Sequence, residues 1–116
     1  MNVTRVSDAP GYTAPMHRGV DTVRLRGHEA GPSERFWVGL STYHPGGVAE
    51  KAPTREETVY VVLDGELVVT AEESETVLSR LDSVHFAKGE MRSIENRSDR
   101  AALLLVTIAH AQEEAS

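Results

Sequence analysis

Apolar and polar positions in this chain come in short β-type runs, and turn-forming residues interrupt them at regular intervals. From Val20 onward the runs are "VDTVRLRG", "ERFWVGLSTY" closed by "HPGG", "TVYVVLDGELVVTAE", "ETVLSRL", "SVHFAKG", "MRSIEN" and "AALLLVTIAH". Runs of this length, rich in Val, Leu and Tyr and bounded by Gly, Pro, Asp and Ser, read as β-strands. No window keeps a helical period for more than about two turns. About eight short strands at even spacing predict an antiparallel sandwich or barrel. The Asp64-Gly65 dipeptide predicts a tight hairpin turn between the two strands of "TVYVVLDGELVVTAE". The run "ETVLSRL" is expected to pair with the strand before it across "EES". Residues 1–19, rich in Pro, Gly, Ser and Asp, read as an N-terminal arm, residues 20–110 as the barrel and residues 111–116 as a polar tail.

Composition narrows the functional classes. A chain of 116 residues builds one domain with one core. No run approaches the roughly 18 apolar residues of a membrane span, and "MNVTRVSDAPGYTAP" has no apolar signal core, so export is not expected. The absence of cysteine excludes disulfides and thiolate metal sites and agrees with a cytoplasmic location. A formal charge of −6 with no basic stripe argues against nucleic acid, whose phosphates demand clustered Lys and Arg.

Two segments carry a resemblance. "PGG" at Pro45 to Gly47 followed by "TVYVVLDGEL", and "LDSVHFAKGEMRSIEN", match in spacing and strand order the two motifs of the cupin superfamily. The likeness covers roughly residues 20–108 and implies a jelly-roll barrel, an antiparallel double-stranded β-helix. In the second motif Gly89 and Asn96 stand in place, while Leu81, Ala87 and Arg92 replace the family's glycine, proline and histidine. In the first motif the family's His-x-His pair falls among residues 50–54, which are Glu, Lys, Ala, Pro and Thr. Counting back from Gly65 puts the family's metal glutamate at Thr58, with Glu57 one residue away; which of the two faces inward is open, since a one-residue slip exchanges the faces of a strand. Arg92 has no lone pair to offer a metal. The resemblance therefore implies the scaffold without the usual metal ligands, and no metal or other cofactor is expected. A residual metal site would need His17, His28, His44 or His85 to converge with Glu50 or Glu57.

Barrels of this size either fill with side chains or keep one small-molecule cavity, and the cupin resemblance implies a cavity between the two sheets. Alternation places Thr58, Tyr60 and Val62 on one face, Arg92, Ile94 and Asn96 on another, and Trp37, Ser41 and Tyr43 on a third. The candidate substrate-binding lining is Trp37, Ser41, Tyr43, Tyr60 and Arg92, with His44 at the barrel mouth, His85 in its strand, and Glu57 or Glu90 close by. A guanidinium where metal cupins have a dication would grip a carboxylate or carbonyl through paired hydrogen bonds. Catalytic roles then fall to Glu57 as base and Arg92 as stabiliser of enolate-like charge. The expected function is a metal-independent isomerase, lyase or cyclase-like enzyme on a small carboxylated or carbonyl substrate. A non-catalytic metabolite-binding cupin and a metal-dependent dioxygenase or decarboxylase are the alternatives. The lead-in "APMHRGVDTVRLRG" is similar to that of stand-alone cupins, which implies a homodimer and gives His17 a place at the dimer contact or over the pocket.

Overall fold

The computed structural model describes residues 1–111, and its regular elements are two short 3₁₀ turns and eight strands. The strands are β1 (His17–Arg26), β2 (Phe36–Pro53), β3 (Thr58–Asp64), β4 (Leu67–Ala71), β5 (Ser74–Leu78), β6 (Ser83–Phe86), β7 (Met91–Glu95) and β8 (Ala102–Ala109). All ladders between them are antiparallel and run in the order β5-β4-β7-β2-β8-β3-β6, with β1 alongside β2. The result is a nearly closed all-β jelly roll. No helix among the described residues is long and apolar enough to cross a membrane.

One strand makes the barrel close. β2 does not stop at "HPGG" but runs for 18 residues, bending at the two glycines there. Its first half lies between β1 and β8, and its second half between the start of β1 and β7. At the bend the Gly47 backbone packs so closely on Gly19 that a side-chain carbon at 47 would lie 2.4 Å from the Gly19 carbonyl oxygen. β1 begins at His17, so the last residues of the expected arm belong to the sheet. The rest of the arm follows the outer edge of β1 through Tyr12 N–H to the Thr22 carbonyl (3.1 Å) and Arg24 N–H to the Pro10 carbonyl (2.8 Å).

The hairpin expected at Asp64-Gly65 does not form. β3 pairs with β6 and β8, whereas β4 pairs with β5 and β7, so the turn carries the chain from one sheet to the other. Val62 and Leu67 on either side are both fully buried in the one core. Gly65, at φ +77°, crosses against the Ala101–Ala102 backbone, where a side-chain carbon would meet atoms at 2.9 Å. The β4–β5 hairpin, by contrast, closes across residues 72 and 73 as the sequence predicts. The core at this end of the barrel is Tyr43, Val62, Leu67, Phe86, Ile94 and Leu104. Fully buried Asn96 closes its rim, donating to the Tyr43 and Arg100 carbonyls at 2.9 and 2.7 Å.

Candidate functional site

Cross-strand pairing decides which side chains face inward, because directly opposed residues of an antiparallel pair project to the same face. In β1, His17, Val20, Thr22 and Arg24 lie opposite Ala49, Tyr43, Ser41 and Gly39 of β2. Ala49, Tyr43 and Ser41 are buried in the barrel, so this row of β1 also faces in. Thr58 and Tyr60 of β3 join them through their pairing with Ile108 and Val106. β7 adds Arg92 beside the inward-facing Ile94. These inward rows bring His17, Arg24, Ser41, Tyr43, Tyr60 and Arg92 to the barrel interior, with Tyr12 and Trp37 packed beside Arg24.

Arg92 donates from Nε to the Tyr60 hydroxyl at 3.2 Å and from one terminal nitrogen to the Glu50 carbonyl at 3.0 Å. Both partners are neutral, so they orient the guanidinium and leave its charge uncompensated. Tyr60 is steadied in turn by the edge of Phe86, 6.0 Å between ring centroids. Burial drives the Tyr43 hydroxyl far above the ordinary tyrosine range, with Tyr60 adding to the effect and Arg92 opposing it, so Tyr43 is un-ionised. Burial also raises the pKa of Tyr12, against the pull of Arg24 and a hydroxyl bond with Ser41.

A second guanidinium, Arg24, is held differently. It stacks 4.2 Å from the Tyr12 ring centre and 4.5 Å from that of Trp37, and meets Glu29 at 3.6 Å. Its buried Nε has no hydrogen-bond partner. Gly39 makes this stack possible, since a side-chain carbon there would sit 3.0 Å from both the Trp37 ring and the Tyr12 hydroxyl.

His17 stands at the mouth. Its Nδ1 lies 2.7 Å from the Pro15 carbonyl, and its ring is 6.4 Å from that of Tyr43. Burial lowers its pKa below the usual histidine value; the Pro15 carbonyl partly offsets this and Arg92 lowers it further. Residues 11–14 of the arm, with His17, Val20, Asp21 and Thr22 of β1, line an open cavity of about 420 Å³ beside this ring.

Of the side chains expected at the site, Trp37, Ser41, Tyr43, Tyr60 and Arg92 share the interior. Glu57, His44 and His85 do not. Thr58, 2% exposed, takes the inward position, and the pairing of Val59 with His85 turns their side chains outward. Glu57 lies on that outer surface, its carboxylate 2.7 Å from His85 Nε2. His44 is likewise outside, 2.7 Å from Asp21. The base assigned to Glu57 is therefore misplaced: register, not residue chemistry, removes it. Glu90 is spent on the backbone N–H of Ala87. His28 stacks with Trp37 and His110, away from His44 and His85. Tyr12 and Arg24 were not in the expected lining. Arg24 was within reach of the sequence, since "VDTVRLR" puts it in register with Val20 and Thr22; nothing in the sequence marks Tyr12.

The interior does not suit the metal that the scaffold implies. It offers one imidazole, His17, three phenols and two guanidiniums, and Thr54 near the expected His-x-His position donates its hydroxyl to the Ala87 carbonyl. Among the described residues, no three His, Asp or Glu side chains gather as a metal site.

An antiparallel jelly roll of eight strands defines a small single-domain β-barrel. Residues 39–108 match the family described as Cupin domain, and the chain belongs to that family. It is 72% identical over 110 residues, 95% of each chain, to a Mycobacterium tuberculosis protein named beta-D-galactosidase Rv1717. Among solved structures it resembles the polyketide cyclase RemF from Streptomyces resistomycificus, with a TM-score of 0.82 at 14% identity over 94% of this chain and 79% of that one. It also resembles a predicted oxalate decarboxylase from Thermotoga maritima, with a TM-score of 0.79 at 23% identity over 96% and 100% of the two chains. These two likenesses establish the fold.

Proposed function

We propose that this protein is a metal-independent cupin enzyme that binds a small, oxygen-rich substrate in the barrel interior and transfers a proton on it. The observation that carries the reading is the inward-facing Arg92, held by the neutral Tyr60 hydroxyl and Glu50 carbonyl beside the buried Tyr43. A guanidinium positioned this way, half-buried, would take a carboxylate or carbonyl oxygen and stabilise negative charge developing there. Isomerase, lyase and cyclase-like reactions need that stabiliser and a base, and neither has to be a metal.

The 72% identical relative favours a galactose-containing sugar as the substrate class. Aromatic rings, hydroxyls and arginines are suitable partners for a sugar, and Trp37, Tyr12 and Arg92 supply all three. Glycoside hydrolysis in most enzymes uses two carboxyl groups about 5–9.5 Å apart. Among the described residues the inward rows of the strands contain none: Glu57 and Glu50 are outside, paired with His85 and Arg18, and Asp21, at the open cavity beside His17, is paired with His44. A sugar bound in the interior would therefore be worked on through imidazole, phenol and guanidinium groups. A homodimer and a cytoplasmic location go with this reading, and light scattering tests the former.

The deciding experiment is calorimetric binding of galactose, lactose, galacturonate and small keto acids to the wild type and to Arg92→Ala, with hydrolysis of a nitrophenyl β-galactoside measured alongside. Loss of binding by at least about 30-fold in Arg92→Ala is expected for the ligand that fits. Equal affinities in both proteins for every ligand bound would refute the interior site. Galactoside hydrolysis that survives Arg92→Ala and fails in Glu57→Gln would move the chemistry to the outer surface.

A further inference from the structure

We infer that His17 is the proton acceptor of the barrel site, its imidazole held as the Nδ1–H tautomer with the lone pair of Nε2 free to take a proton from a substrate anchored by Arg92. The inference rests on the Arg92 reading and adds to it the base that Glu57 cannot be.

The local backbone sets the tautomer. A carbonyl oxygen only accepts, so the 2.7 Å contact between Pro15 and His17 Nδ1 requires the proton on Nδ1. Nε2 is then the unprotonated nitrogen. The contact exists because Met16 adopts a left-handed conformation, φ +60°, uncommon for a side-chain-bearing residue, and turns the Pro15 carbonyl back onto the next ring. The Glu50 N–H donates to the Met16 carbonyl at 3.0 Å and locks this turn on β2. The neighbouring residue's chain is thus bound to the same stretch of β2 whose Glu50 carbonyl orients Arg92. One residue, Glu50, joins anion-stabilising and base-holding halves through its backbone alone.

The groups facing His17 agree with a base that is neutral at pH 7. β7 presents the Arg92 cation and β2 presents un-ionised Tyr43, while Asp21 of β1, which lines the same cavity, pairs its carboxylate with His44 Nε2 at 2.7 Å. Arg18 and Glu50, its charged neighbours, pair with each other at 2.7 Å on the exposed side. A cation nearby and burial both disfavour imidazolium, leaving the lone pair available. In the step itself, Nε2 takes a hydrogen from the carbon next to a substrate carbonyl. The C–H pair becomes the C=C bond of an enolate, and the carbonyl π pair moves onto the oxygen held by Arg92. Returning the proton from His17 to the same or a neighbouring carbon completes exchange or isomerisation with no oxidant or co-reactant.

Pyruvate is a minimal probe, because its ketone oxygen and adjacent carboxylate can both be held by the Arg92 fork and its C–H bonds beside the ketone are exchangeable. Three measurements on the full chain separate the base from the anchor. Long-range ¹H–¹⁵N spectra of the ligand-free protein at pH 7 should show His17 with Nδ1 protonated and Nε2 bare. Proton NMR in deuterium oxide should show accelerated loss of the pyruvate methyl signal, at a rate that rises with pH and levels off once His17 is neutral. His17→Asn, whose amide can keep the bond to Pro15, should bind pyruvate within about threefold of wild type yet exchange it on the order of 10²-fold more slowly. A bare Nδ1 or an imidazolium in the free protein overturns the inference, as does wild-type exchange by His17→Asn, or bound pyruvate that does not exchange. Pyruvate that fails to bind wild type, or binds Arg92→Ala equally, refutes the Arg92 anchor instead, and the tautomer then still decides for or against His17.

Discussion

Replacing Asn96 by Asp exchanges one nitrogen for one oxygen at the most enclosed polar group of the barrel. Asn96 is 0% exposed and uses its whole side chain: Nδ2 donates to the carbonyls of Tyr43 and Arg100, and Oδ1 accepts from the N–H and hydroxyl of Ser98 at 3.0 and 2.7 Å. Aspartate keeps the Ser98 contacts and loses both donations, leaving two buried carbonyls turned toward a carboxylate oxygen. At about 1–3 kcal/mol for each orphaned acceptor, partly recovered by relaxation, Asn96→Asp should cost about 3 kcal/mol at pH 7. For a domain of this size that corresponds to a fall of about 10 °C in Tm. The sign of its pH dependence follows from the same carbonyls. A protonated carboxyl can donate to one of them, so the folded state should hold the proton more tightly than the unfolded chain, whose aspartate titrates near about 3.9. The deficit relative to wild type should then shrink as pH falls from 7 toward 4 and return as pH rises. Urea unfolding followed by the fluorescence of Trp37, the single tryptophan, reads both quantities. A loss below about 0.5 kcal/mol at pH 7, or a deficit independent of pH, would refute the claim that donation to Tyr43 and Arg100 is what Asn96 contributes.

Gly39→Ala should push Tyr12 and Trp37 apart, because the added carbon would lie 3.0 Å from each; the expected result is a changed Trp37 emission and faster proteolysis of the arm, with a stability loss of about 1–2 kcal/mol. His17 has its folded pKa lowered by burial, so the unfolded state binds the extra proton first, and stability should fall as pH drops through about 6.5; His17→Asn should flatten that slope in denaturant titrations between pH 5 and 8. Breaking the exposed Glu57–His85 pair with Glu57→Gln should change stability by less than about 0.5 kcal/mol and leave ligand binding in the interior unaltered, which thermal shift and calorimetry check together.

Much of this protein is legible in one dimension because a strand's period of two is a property of the backbone. The all-β architecture follows from it, and so does the common face of Ser41 and Tyr43, of Thr58, Tyr60 and Val62, and of Arg92 and Ile94. The chemistry of the arginine at position 92 is also independent of context, since no fold gives a guanidinium a lone pair for a metal. Alternation states which residues share a face and is silent on which face is inside. Thr58 rather than Glu57 points inward because β3 is clamped between β6 and β8, partners contributed by residues 83–86 and 102–109. Strand partnership is equally non-local: Asp64-Gly65 has the composition of a hairpin turn, yet β3 pairs with β6 and β8 and β4 with β5 and β7, which makes it a crossing. The same holds for the surroundings of His17. Tyr12 enters only because the arm follows the edge of β1, and the Pro15 carbonyl meets His17 Nδ1 beside Met16, whose own carbonyl is tied to Glu50 more than 30 residues away. Local sequence sets side-chain periodicity and intrinsic chemistry; direction, register and protonation depend on contacts that exist only once distant strands have paired.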